Sequence, residues 1–384
     1  MSLATQLHNG DLGRWCAEHL PGTPNLIGDI QRRLAAAGNR QPIVPAGRVP
    51  ADHWARVATA FRLRLGLLVD GGAPAGALLG AVRARLASRE WAEHAGQSFA
   101  GARPERDTAG RWSPYLAGRR GWLDAARVDA APDAGHEPVL TDLLKRTAAY
   151  AGEHMPPATI GHPGAEAGLA RVCWVLAAWE SCARGGNLPA DVASVHQQPD
   201  FDADDLRRVA PEHAVTELVA LIELLQSSGT LRDWRGDTPG RAPREPGPLG
   251  CATPVFVPHW AEGHLIIRRS LVEVTAAPSL EEDALARCLW RLLACSWLDT
   301  SNRHDIGSVD IYLARHGVVA SWGVVTFADM LLGGTGRADG GARDAFLRLA
   351  RPVISAEGGQ PPAEWVPRER SAPRPPYITK SSAP

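Results

Sequence analysis

Two charged side chains stand in apolar segments of this sequence, where a charge is unfavourable unless it has a partner. Glu273 lies in the middle of the run LVEVT, residues 271–275, and Arg291 lies in the middle of LARCLWRLLACSWLD, residues 285–299. Removing an ionised group from water without a compensating interaction is strongly unfavourable. Each residue therefore predicts either a bound ligand or a buried partner, and the two together define a candidate site.

The polar residues around Glu273 follow the periodicity of β-strands. Residues 265–267 and 271–275 read as two short strands joined by a turn. Side chains alternate between the two faces of a strand, so every second residue shares a face. If the two strands pair as a hairpin, four polar groups converge on one side of the sheet: Glu262, His264, Glu273 and Thr275.

The elements that would hold this site follow from the spacing of apolar residues. Helical spacing predicts helices at 54–72, 138–152, 164–184, about 203–227, 280–298 and 326–332. Residues 308–322 read as a strand, a His-Gly turn and a second strand. Residues 1–95 read as helical, with breaks at 21–24 and 42–50. The predicted fold class is therefore α/β (α+β), a mixed sheet preceded by a mainly helical region.

Composition divides the chain into three predicted regions. Residues 1–160 form a mainly helical N-terminal region that includes an irregular excursion at 96–137. Residues 161–335 form an α/β domain with a loop at 228–250. The remaining residues, 336–384, are rich in Gly and Pro and are predicted to be a flexible tail, because such a composition does not bury a core.

The overall charge excludes a strong general attraction to nucleic acid or to a membrane surface. The chain carries 41 basic and 42 acidic residues, with a net charge of -1, and only Lys145 and Lys380 are lysines. No apolar run reaches the roughly 18 residues that a membrane span needs. The N-terminus lacks a signal segment, and the six cysteines lack disulfide-like spacing. These features favour a cytoplasmic protein with reduced thiols.

The order of elements resembles the PD-(D/E)xK nuclease fold, in particular its RecB-like branch, and a group of uncharacterised actinobacterial proteins of similar length. The resemblance covers about 160–333, with a weaker similarity in VATAFRLRL, residues 57–65. The matching positions are Leu298, Asp299, Ile306, Val309, Tyr312, Ala314, Arg315 and Gly317. The resemblance implies a mixed-sheet core and, in active members, a phosphodiesterase that depends on a divalent metal.

The departures from that family pattern fall on its catalytic positions. His264 stands where active members have a metal-binding aspartate, and Glu273 keeps the acid while Thr275 replaces the lysine. Arg291 and Cys295 replace a glutamine and a tyrosine of the following helix. Mg²⁺ prefers oxygen ligands, and the family's lysine stabilises developing phosphate charge. The site therefore reads as degenerate, with no metal or other cofactor expected.

These departures predict a catalytically inactive nuclease-like protein, a pseudo-nuclease. It would act as a scaffold or as a nucleic-acid-associated subunit, together with a protein partner, in a defence or DNA-processing complex. In place of a metal, an ion pair between Glu273 and Arg291 is predicted, with His264 as a second donor to the carboxylate.

Several alternatives remain open at this point. A rearranged nuclease would hold Mg²⁺ or Mn²⁺ through Glu262 and Glu273, with Glu180 as a further ligand. Zinc could bind through Cys251, His259 and His264, although their spacing is not that of a zinc finger.

The same residues could also be ordinary surface residues that bind no ligand. Glu273 could lie at a solvent-facing strand edge, and His264 could be a surface histidine close to a turn. Arg291 could extend to the surface along its methylene stem, and Glu180 could lie on a solvated helix face.

Overall fold

The computed structural model describes residues 2–38, 41–45, 47–97, 99, 135–237, 248–334 and 341–362. Most of the predicted excursion at 96–137, part of the loop at 228–250 and the last residues of the predicted tail lie outside these ranges. Within them the protein is a mixed α/β structure with 15 helices and seven strands, and most of its ordered residues are helical.

Twelve of these helices come before the first strand of the described chain. They are α1 (Leu3–Asn9), α2 (Asp11–His19), α3 (Thr23–Ala36), α4 (His53–Asp70), α5 (Ala75–Arg83), α6 (Arg89–Gly96), α7 (Glu137–His154), α8 (Pro163–Ala183), α9 (Ala190–His196), α10 (Ala203–Arg208), α11 (Glu212–Ser227) and α12 (Thr230–Arg235).

The strands and the remaining helices follow. They are β1 (Gly250–Ala252), β2 (Val255–Val257), β3 (Ala261–Glu262), β4 (Leu265–Ile267), β5 (Ser270–Thr275), α13 (Glu282–Leu298), β6 (Ser308–Leu313), β7 (Val318–Gly323), α14 (Val324–Leu331) and α15 (Gly341–Ala356).

Five strands form one mixed sheet in the order β1-β4-β5-β6-β7, and β2 and β3 form a separate antiparallel pair. β4 and β5 are an antiparallel hairpin, β5 and β6 are parallel, and β6 and β7 are antiparallel. α13 connects β5 to β6 and packs on β5. The predicted hairpin, the helix over it and the joining of 308–314 to the same sheet are therefore confirmed.

The alternation of β5 side chains separates two hydrophobic cores, one on each face of the sheet. Val272 and Val274 belong to the core that contains α4, α5, α7, α8 and α11. Leu271 belongs to the other core, which contains α1, α2, α3, α13, α14 and α15. Both cores include residues from both sides of the predicted boundary at 160/161, because helices from the first region cover each face of the sheet.

Two predicted helix ends are confirmed by their capping residues. α4 ends at Gly71, whose φ of 62° is the left-handed conformation that glycine adopts without strain. α10 begins at Asp202, whose carboxylate accepts from the backbone N–H of Asp205 in a capping box. The single helix predicted over 203–227 is wrong, because Pro211 interrupts it and α11 starts anew at Glu212.

The predicted flexible tail is also wrong for its first part, because α15 is a helix packed into the second core. Phe346, Leu347, Ala350 and Ile354 are buried. Their spacing places them along one face of a helix, and this face packs into the core. The prediction failed because it used the average composition of the region, which is rich in Gly, instead of this apolar spacing.

Candidate functional site

Arg291 of α13 lies at the centre of the candidate site and contacts three groups. Its Nη1 is 3.2 Å from Oε1 of Glu273 and 2.9 Å from Nε2 of His264. Its Nη2 donates to the backbone carbonyl of Glu262 at 2.8 Å. The predicted ion pair between Glu273 and Arg291 is therefore confirmed, and His264 belongs to the same cluster.

Local structure explains why these groups meet. In the antiparallel hairpin Leu265 pairs with Val272, so His264 and Glu273 lie at the next opposed positions. Nδ1 of His264 is 3.5 Å from Oε2 of Glu273 and 3.0 Å from the backbone nitrogen of Val274. Glu273 shares the face of Leu271, which is the face that α13 covers. The strand pairing and the helix together bring Arg291 over the carboxylate.

Burial shapes the charge state of this cluster. Glu273 is 5% exposed, and its burial raises the pKa of its carboxyl group, against the opposing charges of Arg291, Arg62 and Arg184. Burial, reinforced by the same arginines, lowers the pKa of His264 well below its usual value. At neutral pH the imidazole is therefore neutral, and Arg291 is the cation of the cluster.

The neutral imidazole of His264 faces two donors. The backbone N–H of Val274 points at Nδ1 and the guanidinium of Arg291 points at Nε2. A neutral imidazole accepts at one nitrogen and carries its proton on the other. Only one of these contacts is therefore a full hydrogen bond, and a proton on Nδ1 would face the carboxylate of Glu273.

The readings that placed these residues at the surface are wrong. β5 is the central strand of the five-stranded sheet, so Glu273 is not at a strand edge. The side chain of His264 is 11% exposed and that of Arg291 is 17% exposed. Both residues are held by partners inside the protein instead of extending into solvent.

The predicted convergence of four polar groups is only partly correct. Glu262 belongs to β3 of the separate sheet, and its backbone carbonyl, rather than its carboxylate, binds Arg291. The hydroxyl of Thr275 accepts from the backbone N–H of Ala277 and is not part of the cluster. Lys145, the lysine within the described chain, is exposed on α7 and lies outside the cavity described below.

Glu180 on α8 is buried rather than solvated, which contradicts the reading of a solvated helix face. Arg62 of α4 donates a hydrogen bond to its Oε1, and Nη2 of Arg184 lies 2.5 Å from the same oxygen. Burial alone would raise the pKa of Glu180, but the charges of Arg62 and Arg184 outweigh it and lower the pKa to about 2. The carboxylate is therefore an ionised bridge between two arginines.

A cavity of about 400 Å³ lies beside this cluster. Its charged lining residues are Arg62, Arg83, Glu180, Arg184, Glu262 and Arg291. Sequence reasoning identified the carboxylates and Arg291 but missed the other three arginines. The signal that could have found Arg62 is its position between apolar residues in the helical segment FRLRLGLL, residues 61–68.

The residues at this site do not fit the divalent metal that the family resemblance implies. Oε1 of Glu273 and the carbonyl of Glu262, which could face such an ion, already accept hydrogen bonds from Arg291. Across the described ranges, no group of three or more His, Cys, Asp or Glu residues is arranged to hold a metal ion. Cys251, His259 and His264, the residues of the zinc alternative, do not form such a group.

The residues that carry the family resemblance mainly serve the core. Arg315 is 1% exposed, and its Nη2 is 2.5 Å from Oε1 of Glu217, whose other oxygen is 2.7 Å from Nε2 of His53. Tyr312 is fully buried in the first core, and this burial raises the pKa of its hydroxyl. Burial likewise raises the pKa of Cys295 to about 12, so its thiol is not a nucleophile at neutral pH.

Comparisons with protein-family models, with curated proteins and with solved structures give no match to this chain. Within the part of the chain that the structure describes, the helices are all too short or too polar to cross a membrane.

Proposed function

We propose that this chain is a catalytically inactive nuclease-like protein that acts as a scaffold or a nucleic-acid-associated subunit. The observation that carries the proposal is the position of Arg291, whose guanidinium binds a carboxylate, an imidazole and a backbone carbonyl. These are the ligand types that a divalent cation would use. By the resemblance to the PD-(D/E)xK nucleases, a permanently charged side chain stands where those enzymes would hold their metal.

The chemistry of arginine supports the loss of catalysis. A guanidinium does not lose its proton at accessible pH, so Arg291 is not a general base. It also lacks the open coordination position through which a metal activates water. The lysine expected at position 275 is Thr275, whose hydroxyl supplies no positive charge. Arg291 and Thr275 therefore supply neither a general base nor the lysine of the family pattern.

Metal titration and cleavage assays test this loss directly. Calorimetric titration of the protein with Mg²⁺ and Mn²⁺ should show no binding at this site, and the protein should cleave neither DNA nor RNA. The matched positive control is the double variant His264→Asp/Arg291→Ala. It places a second carboxylate opposite Glu273 and removes the guanidinium, so Mn²⁺ binding should appear in it.

Cleavage by the unmodified protein that is lost in Glu273→Ala would overturn the proposal and support a rearranged metal-dependent nuclease. Binding of Mn²⁺ to the unmodified protein that is lost in Glu273→Gln would do the same. Circular dichroism of each variant shows whether it is folded, so that a loss of binding is not mistaken for unfolding.

The role as a scaffold or nucleic-acid-associated subunit is inferred because a nuclease-like fold without catalysis can still bind a partner. This step rests on analogy at the level of the fold. Native purification from the source cells checks it, with the chain carrying an affinity tag. We expect a defined partner protein, or bound nucleic acid, to copurify at constant stoichiometry. A chain that elutes alone at the mass of the free protein would contradict the scaffold role.

A further inference from the structure

The cavity beside Arg291 has the charge and size of a small-anion site. Four guanidinium groups line it, those of Arg62, Arg83, Arg184 and Arg291. Two carboxylates, those of Glu180 and Glu262, share the same wall. The four arginines outnumber these carboxylates, and one positive charge remains when Glu273, the partner of Arg291, is counted as well, so the wall favours an anion.

The arginines divide into a fixed pair and an adaptable pair. Arg62 and Arg291 are held by Glu180 and Glu273, and their side chains are 10% and 17% exposed. The side chain of Arg184 is 51% exposed, and Arg83 is also exposed at the end of α5. The fixed pair gives the cavity a constant positive field, and the adaptable pair can close on a ligand.

The adaptable arginines also have donors to spare. Arg184 binds Glu180 through Nε and Nη2, and Arg83 donates to the carbonyl of Ala183 through Nη1. Within the described residues, Nη1 of Arg184 and Nη2 of Arg83 make no hydrogen bond. Planar N–H forks of this kind recognise phosphate oxygens by charge-assisted hydrogen bonds.

The walls limit the size of the ligand. The N-terminal turn of α1 forms one side, and it is attached to the turn before β3 by a hydrogen bond from Leu3 N–H to the carbonyl of Trp260. Helices α4, α5 and α8 form the other side. A cavity of about 400 Å³ lies in the range of small-molecule sites and is suited to one nucleotide or sugar phosphate instead of a strand.

The geometry points to a binding site for a small molecule that carries a phosphate monoester, with Arg83 and Arg184 as the residues that grip the phosphate. This inference rests on the proposed function in one respect. It assumes that Arg291 stays paired with Glu273 as a fixed part of the cavity wall, so that no metal ion binds in its place. The site is a binding site, and no reaction is assigned to it.

Calorimetric titration with adenosine 5′-monophosphate and with glucose 6-phosphate tests the site, with adenosine and glucose as the matched neutral probes. Both phosphates should bind and both neutral probes should not. The double variant Arg83→Ala/Arg184→Ala should weaken binding at least about tenfold, because two charge-assisted contacts are lost. Arg32→Ala, at a 71% exposed arginine of α3 that is not among the lining residues of the cavity, is the control and should leave binding unchanged.

Three outcomes would overturn the inference. The first is that neither phosphate compound binds at concentrations up to about 10 mM, which would mean a dissociation constant weaker than that of an ordinary metabolite site. The second is equal binding by the double variant and the unmodified protein. The third is tighter binding of a single-stranded oligonucleotide than of the monophosphate, which would assign the arginines to a nucleic-acid strand. If the phosphates do not bind and the Mg²⁺ and Mn²⁺ titrations also show no binding, only the anion-site inference is contradicted, and the pseudo-nuclease proposal is unaffected.

Discussion

Arg291 and Glu273 form a buried pair whose attraction and desolvation are of similar size. At their separation of 3.2 Å, the Coulomb attraction is about 5 kcal/mol with an effective dielectric constant near 20. Desolvation of the two ions costs several kcal/mol each. The pair therefore adds little net stability, and its effect is to hold α13 against β5 in one position.

Removing one member of this pair should be far more harmful than removing both. Arg291→Ala leaves Glu273 buried without its cation, so we expect a loss of roughly 3 to 5 kcal/mol in the free energy of unfolding. Adding Glu273→Gln to that variant should restore part of the loss, because the uncompensated charge disappears. Urea denaturation of the two single variants and the double variant measures the coupling.

Arg287→Ala is the matched control for this cycle, since Arg287 lies one turn earlier on α13 and is only partly buried. It should change the free energy of unfolding by much less than Arg291→Ala. Simple additivity of Arg291→Ala and Glu273→Gln would show that the two side chains do not interact, and would contradict the structure at this point.

The cluster around Glu273 could be predicted from sequence because local periodicity connects its members. Glu273 and His264 follow from strand alternation in one hairpin, and Arg291 follows from the helical spacing of the next element. The partners of Glu180 could not be predicted in the same way. Arg62 belongs to α4, which only the packing of distant helices brings to α8, and no local pattern encodes that approach.

At the scale of elements, α5 approaches the backbone of α8 most closely at Gly80. A Cβ added to Gly80 would lie 1.7 Å from the carbonyl oxygen of Trp179, which is backbone and does not move aside. The two helices also form part of the cavity wall, with Arg83 on α5 and Glu180 on α8. The shape of the cavity therefore depends on this close helix contact.

Gly80→Ala should destabilise the protein by about 1 to 3 kcal/mol or more, because α5 and α8 must separate to admit the methyl group. Gly152→Ala is the matched control within α7. A Cβ there meets no atom within 4 Å, so the change should stabilise by roughly 0.5 to 1 kcal/mol through helix propensity. Thermal unfolding of both variants measures the difference, and equal effects of the two changes would contradict the close packing.

Longer elements were predictable, and very short ones were not. β5, β6, β7, α8 and α13 are each six or more residues long, which is enough for a strand or a helix to be recognised. β1, β2 and β3 are two or three residues long and contain too few alternations to be recognised. The parallel pairing of β5 with β6 could not be predicted from the strand sequences either, because the direction of β6 depends on how the connecting helix crosses the sheet.

At the scale of the whole molecule, arginines connect the elements that surround the first core from within. Arg64 binds Glu166 through two contacts of 2.7 Å, with both side chains at most 3% exposed. Arg315 and Arg62 form further buried pairs with Glu217 and Glu180. The fork of arginine makes two hydrogen bonds to one carboxylate. The arginine-rich composition thus has a structural use in this core.

Buried histidines give the whole protein a common response to acid. Burial lowers the pKa of five imidazoles: His136, His196, His259, His264 and His304. In the unfolded chain each histidine binds a proton near pH 6.5. As the pH falls below that value, the unfolded state therefore takes up protons that the folded state does not, and stability decreases. Glu273 and Asp310, whose pKa values are raised by burial, act in the opposite direction, but as two groups against five.

We therefore expect the free energy of unfolding to fall steadily between pH 7 and pH 5, before most carboxylates titrate. His196, whose pKa is lowered to about 4, should alone account for about 2 kcal/mol of that loss. Urea denaturation at a series of pH values measures the slope. His196→Gln should reduce it by close to one proton. A flat profile from pH 7 to pH 5 would mean that these imidazoles are not buried in the neutral form.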